Sequence, residues 1–432
     1  VSAVSARLVT AGDRPAAPKL PLAQWWQVPL DGPVSAGPIS NGARVYLAYA
    51  AGFLVARDAA DGHELWRQKK TVSVPMAVDG DLLIVSTGDA IEALRGATGA
   101  SAWILPRMKT VAPIVAEADG IVAVTGDEVI VVRAADGSVA WRHAAGGVTL
   151  PPVIDNGQVY TGANDGRVLA LAMTDGAQVW DHFFPDGVTA IAAAAGRVYV
   201  GSGDKRLYSV DGRNGEPRPA SYRIGAQPIG HIAIDDEHVY VAALDNVVRA
   251  FDRKNGNQRW QAPMRQRPFF GVFASGHVVF VPASASEVQM LWDGNGVKSG
   301  ALGLPGEAPS ALAPAIVDSA DGPVVYAITG GLTNEWNLTK FAPAGEAPLV
   351  AFAKLDPLPG LPFLTDPELK PLGLVLRELL LDDPPLQPLA ALDWPLVMRD
   401  PPLVPLTMLP GLQLRPLSPV LPVRRGALGP ND

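Results

Sequence analysis

The sequence predicts an all-β fold, an eight-bladed β-propeller of four-stranded antiparallel blades, and three observations predict it. A glycine-containing turn recurs at near-constant spacing, a tryptophan follows most copies at one offset, and short β-rich runs precede each copy. The turn glycines are Gly62, Gly99, Gly137, Gly176, Gly215, Gly256 and Gly296, separated by 37, 38, 39, 39, 41 and 40 residues. A repeat near 40 residues that contains about four strands is the sequence signature of a propeller blade. Trp66, Trp103, Trp141, Trp180 and Trp260 each lie four residues after their glycine, whereas the fifth copy has Pro219 there and the seventh Gly300.

The elements follow in order. Residues 1–23 are small, polar and Pro-containing, and they read as a flexible lead like that of a mature chain after signal removal, so export is expected. QWWQV (Gln24–Val28) is a strand with a tryptophan and no blade of its own. Eight three-strand units then begin near Pro33, Ser73, Ala112, Leu150, Val188, Ile229, Phe270 and Ala313. Runs such as ARVYLAY, GRVYVGS and HVYVAA, bounded by Gly, Asp and Asn, read as strands. The last unit ends near KFAP (Lys340–Pro343) with no tryptophan strand behind it. Pairing QWWQV with that unit closes the ring and removes both sheet edges, which sets the propeller at residues 24–343.

The turn chemistry has a reason. A tight hairpin needs one residue at positive φ, which glycine adopts cheaply, while a preceding Asp caps the turn through its carboxylate. The five tryptophans then dock each blade against the next. Burying one such ring contributes on the order of 2–3 kcal/mol.

From residue 344 to 432 the pattern breaks into a Pro/Leu-rich tail. Residues 343–432 contain 24 leucines and 19 of the 41 prolines. Proline at that density forbids sheets and favours extended chain; one short helix is expected at Pro371–Asp383. Disordered tails are ordinarily polar. A leucine-rich ribbon must instead cover its own propeller or lie along a partner, and the expectation taken forward is a partner-binding arm.

Composition excludes several classes. Net charge is −8 and the basic residues occur as mere pairs, so nucleic acid is not an expected partner. There is no cysteine, hence no disulfide, thiolate metal site or cysteine nucleophile. No apolar run reaches the 18 or so residues that span a bilayer as a helix.

The pattern A-x-D-x-x-x-G-x-x-x-W resembles the tryptophan-docking repeat of quinoprotein-like β-propellers. Ala56, Asp58, Gly62 and Trp66 match it at every position, as do Ala250, Asp252, Gly256 and Trp260. Ala93, Gly99, Trp103 and Ala170, Gly176, Trp180 keep three of the four. One branch of that superfamily comprises pyrroloquinoline-quinone dehydrogenases, which hold quinone and Ca²⁺ over the central channel. The other comprises non-catalytic propellers similar to BamB, an accessory of outer-membrane barrel assembly. This chain lacks the vicinal cysteines, the long insertions and an evident calcium constellation of the first branch. Its size and lead resemble the second, apart from the missing lipid-anchor cysteine. The resemblance implies an extracytoplasmic, bacterial subunit of a protein assembly at the cell envelope, peripheral to the membrane, with no cofactor. A quinoprotein-type enzyme and a ligand- or sugar-binding propeller are the rival readings.

No catalytic, cofactor or metal residue is assigned. His63, His143, His182, His231, His238 and His277 show no zinc-ligand spacing. DDEH (Asp235–His238), NDG (Asn164–Gly166) and SGD (Ser202–Asp204) read as blade turns, and GSGDKR is followed by no helix that would make it a phosphate loop. RQRPFF (Arg265–Phe270) is the one candidate interface. Arg265, Arg267, Phe269 and Phe270 have the composition of an interaction anchor. The competing reading puts the two phenylalanines at the start of an inner strand.

Overall fold

The computed structural model describes residues 21–117, 120–163, 165–218, 222–283, 286–304, 312–330 and 335–344; the rest of the lead and of the tail, with its expected helix, lies outside the described residues. The described residues form strands β1 to β32, arranged as eight four-stranded sheets, with no helix among them. Blade one shows the plan. Its strands β2 (Val34–Ser40), β3 (Arg44–Tyr49), β4 (Phe53–Asp58) and β5 (Glu64–Lys69) pair antiparallel in chain order from the channel outward. The middle strands are buried almost throughout, since each blade is covered by a neighbour on both faces. They therefore read as continuous apolar runs, whereas the outer strand alternates, with Trp66 turned inward between exposed neighbours.

The core lies between blades. Tyr46, Leu54 and Ala56 of blade one pack on Val72, Leu83 and Val85 of blade two, and equivalent clusters recur around the ring. Each docking tryptophan crosses that seam. The Trp103 ring lies over Gly137 so closely that a Cβ there would stand 2.5 Å from the indole, and its Nε1 donates to Ala134 O at 2.8 Å. Trp66, Trp141, Trp180 and Trp260 repeat the arrangement over Gly99, Gly176, Gly215 and Gly296, with Nε1 donating to Gly96 O, Met173 O, Gly212 O and Asp293 O. The accepting carbonyl is always three residues before the glycine.

Closure uses the two ends of the propeller. β1 (Leu22–Leu30) pairs antiparallel with β32 (Trp336–Pro343), from Leu22 opposite Pro343 to Leu30 opposite Trp336. β1 thereby becomes the outer strand of blade eight. Trp26 packs on Gly62 of blade one, and its Nε1 reaches Ala59 O at 3.3 Å. The same carbonyl accepts Lys340 Nζ at 2.7 Å, and that ammonium lies 4.9 Å from the Trp25 ring centre. No helix in the described residues is long and apolar enough to cross a membrane.

Candidate functional site

Two features of the described residues are candidates for a site, the channel cavity and the exposed loop that carries RQRPFF. The cavity, of about 460 Å³, is lined by the inner strands of six blades, including Ile39, Val78, Ile114, Ile234, Phe273 and Ile316. Its polar groups are few. His231, on β22 (Pro228–Ile234), stacks on Phe273 at 4.9 Å with the rings 3° from parallel, and its Nδ1 is 2.8 Å from Val272 O. Burial holds the imidazole below its ordinary pKa, against the smaller opposite pull of that carbonyl, so it is neutral at pH 7. Asp318 accepts the Ser275 hydroxyl, while Ser40 and Asn41 are engaged with their own turn.

A quinone with Ca²⁺ would need several oxygen ligands of high charge density. Asp318 is the one carboxylate in the cavity lining, and among the described residues no three His, Asp or Glu side chains gather as a metal group. The donor set does not fit that pair.

The loop between β25 (Gln258–Pro263) and β26 (Phe273–Ser275) joins blades six and seven. Met264 and Val272 are buried in the seam between those blades and pin its ends. Between them the chain turns outward: Arg265, Gln266 and Arg267 are exposed, and Phe269 is 53% exposed. The Arg267 guanidinium lies 5.8 Å from the Phe269 ring centre, and its Nε donates to Asn246 Oδ1 at 3.3 Å. Asn246 belongs to the adjacent turn of blade six, beside exposed Leu244 and Asp245, whose carboxylate is held by Arg249 at 2.6 Å. Among the described residues neither Arg265 nor Arg267 has a carboxylate partner.

The structure thus brings Arg265, Arg267 and Phe269 to one end of blade six. It turns Phe270 inward, half-buried against the next core, with its carbonyl accepting His231 N at 3.0 Å. Neither phenylalanine starts the inner strand, which begins at Phe273. Leu244 and Asn246 complete the patch and were not singled out from sequence; a leucine inside the turn ALDN was the available signal.

The remaining candidates are structural. Asp235 accepts Glu237 N at 2.8 Å and His238 N at 2.6 Å, so DDEH is a capped turn. Asp165 and Asp204 cap their turns in the same way, while Asn164 lies outside the described residues. GSGDKR joins two strands. His143 Nδ1 is 2.9 Å from Gly176 O, and His182 stacks on Trp180, so both serve blade seams. His63 and His277 pair with Asp61 and Asp293 at turns.

The profile of the family described as outer membrane protein assembly factor BamB matches residues 23–218 and 183–332, which together run through nearly the whole propeller. No curated protein matches the sequence. Among solved structures the chain is similar to BamB from Moraxella catarrhalis, with 18% identity over 74% of this chain and 99% of that one, at a TM-score of 0.58. It is also similar to the quinohemoprotein alcohol dehydrogenase of Pseudomonas putida HK5, at 12% identity, 80% and 78% coverage and a TM-score of 0.59. A computationally designed protein, Ika8, matches at 14% identity, 73% and 98% coverage and a TM-score of 0.59. At these identities each structural likeness is one of fold.

Proposed function

Because the chain belongs to the family of the outer membrane protein assembly factor BamB, we propose that it is a non-catalytic scaffold, an exported propeller subunit of an envelope assembly that docks protein partners. The observation that carries this reading is the loop at Arg265–Phe269. An exposed aromatic beneath a guanidinium, with a second arginine and Leu244 alongside, is an anchor with an apolar centre and a cationic rim. Among the described residues the arginines lack carboxylate partners, so the fitting surface is one that presents carboxylates around an apolar residue. The tail, residues 344–432, acts in this proposal as a second, extended arm.

The test is affinity purification from the native membrane fraction with the full chain, with an Arg265→Glu/Arg267→Glu/Phe269→Ala variant and with a chain lacking residues 344–432. A stoichiometric envelope protein retained by the full chain should fall at least tenfold with the triple variant at unchanged melting temperature. Undiminished capture by that variant would refute the loop as the docking site. Undiminished capture by the truncated chain would remove the arm.

A further inference from the structure

Blades five and six meet without a tryptophan. Tyr222, in the two-residue strand β21 (Tyr222–Arg223), stands over Gly256 where an indole stands over the equivalent glycine of most other turns. The carbonyl three residues before that glycine, Arg253 O, accepts Arg197 Nη1 in place of an indole N–H. Arg197 therefore replaces the hydrogen bond of the missing tryptophan, and Tyr222 replaces part of its bulk.

The exchange leaves buried donors. Tyr199 Oη, Ser209 Oγ, Tyr222 Oη and Arg253 Nε are all buried, and among the described residues their only hydrogen-bonding neighbours are one another, at less than good geometry. They are neighbours: Tyr199 lies directly opposite Ser209 on adjacent strands, next to Arg253, and Tyr222 lies beside Ser209 and Tyr199. An arginine N–H can only donate. Burial raises both phenols above their ordinary range, so they keep their protons. Even an ideal relay from Arg253 through Tyr199 and Ser209 to Tyr222 ends on a hydroxyl proton with no acceptor among the described residues.

Side-chain carboxylates do not fill that role. Asp252 accepts Lys254 N, Asn255 N and the Arg259 guanidinium. Asp155 accepts Ala195 N and Gly196 N. Among the described residues neither Arg197 nor Arg253 makes an ion pair. Elsewhere in the ring the same tyrosine position is satisfied: Tyr46 meets Asn41, Tyr160 meets Gln158 and Tyr240 meets Asp235.

From this convergence of two guanidiniums and three hydroxyls we infer that the junction of blades five and six is a binding site for a small inorganic anion of about chloride size. The Tyr222, Ser209 and Tyr199 hydroxyls and Arg253 Nε–H are its donors, and Arg197 adds charge from the rim. The site is separate from the proposed docking loop and independent of that reading.

The test melts the full chain in sodium chloride and in sodium gluconate at one ionic strength. Chloride should raise the melting temperature saturably, by roughly 2–4 °C at tenfold excess over its dissociation constant. Tyr222→Phe and Ser209→Ala should each require about tenfold more chloride for the same rise. A crystal of the wild-type chain soaked in bromide should show an anomalous peak beside Tyr222 and Arg253, a reading that needs no variant. Equal melting in the two salts, or an ordered water with no anomalous signal at that position, would overturn the inference.

Discussion

At Gly137 one hydrogen atom serves two purposes. The residue sits at φ 74°, where L side chains are strained, and the Trp103 indole rests on the face a Cβ would occupy. The repeat predicts the first requirement from turn chemistry, whereas the second belongs to a contact between blades. Trp103→Ala removes the ring and leaves Ala134 O unpaired, so a loss of about 3–5 kcal/mol is expected in denaturant unfolding. Ile104→Ala, one residue on and 58% exposed, should change stability by less than about 0.5 kcal/mol.

Lys340 is the residue-scale counterpart at the closing seam. Burial lowers its pKa below 10.5, outweighing the pull of Asp58. In the window between the lowered value and 10.5 the unfolded chain binds the extra proton, so stability rises with pH there. Below the window the buried charge carries its full cost. Relative to Lys340→Met, the wild-type chain should therefore gain stability on moving through that window, measured as unfolding midpoints at a series of alkaline pH values. A parallel pair of curves would exclude the effect.

Among elements, β1 and the outer strand of blade seven explain each other. β1 supplies the outer strand of blade eight from the other end of the chain, so blade eight has no glycine turn between its third and fourth strands. Where that turn would be, the two chain segments meet, with Ala344 N donating to Pro21 O and Trp25 Nε1 to Pro343 O. A tryptophan on blade seven would have no glycine to rest on, and the chain has Gly300 in its place. Gly300→Trp should accordingly give no stabilisation, and about 1–3 kcal/mol of loss where the new side chain meets Met290. The degenerate fifth copy has a different cause, the Tyr222–Arg197 substitution, which no sequence period could reveal because the two residues come from different strands.

On the scale of the whole molecule, inner strands from neighbouring blades touch across the channel edge. His231 and Gly271 form a parallel bridge between blades six and seven, with the neutral imidazole facing the cavity. Since burial lowers its pKa from 6.5, the unfolded chain protonates first as pH falls. Stability should decline from pH 6.5 down to the lowered value and then level, and His231→Gln should reduce that decline. Thermal unfolding between pH 7 and pH 4 checks this. An undiminished decline in the variant would assign it to other groups.

Ring, blade number and closing strand were legible in the order of residues, because each blade repeats the same local rules and seven glycines keep count. An isolated blade cannot bury both faces of its sheet, so the repeat by itself implies stacking. The docking surface was legible only as a composition, RQRPFF. Folding decided that Phe269 turns outward while Phe270 turns in, and that Leu244 and Asn246 join the patch from a separate turn. Exposure and convergence are properties of chain segments distant in sequence, and they exist only once the blades have packed. For the same reason the buried donors between blades five and six belong to the tertiary structure alone.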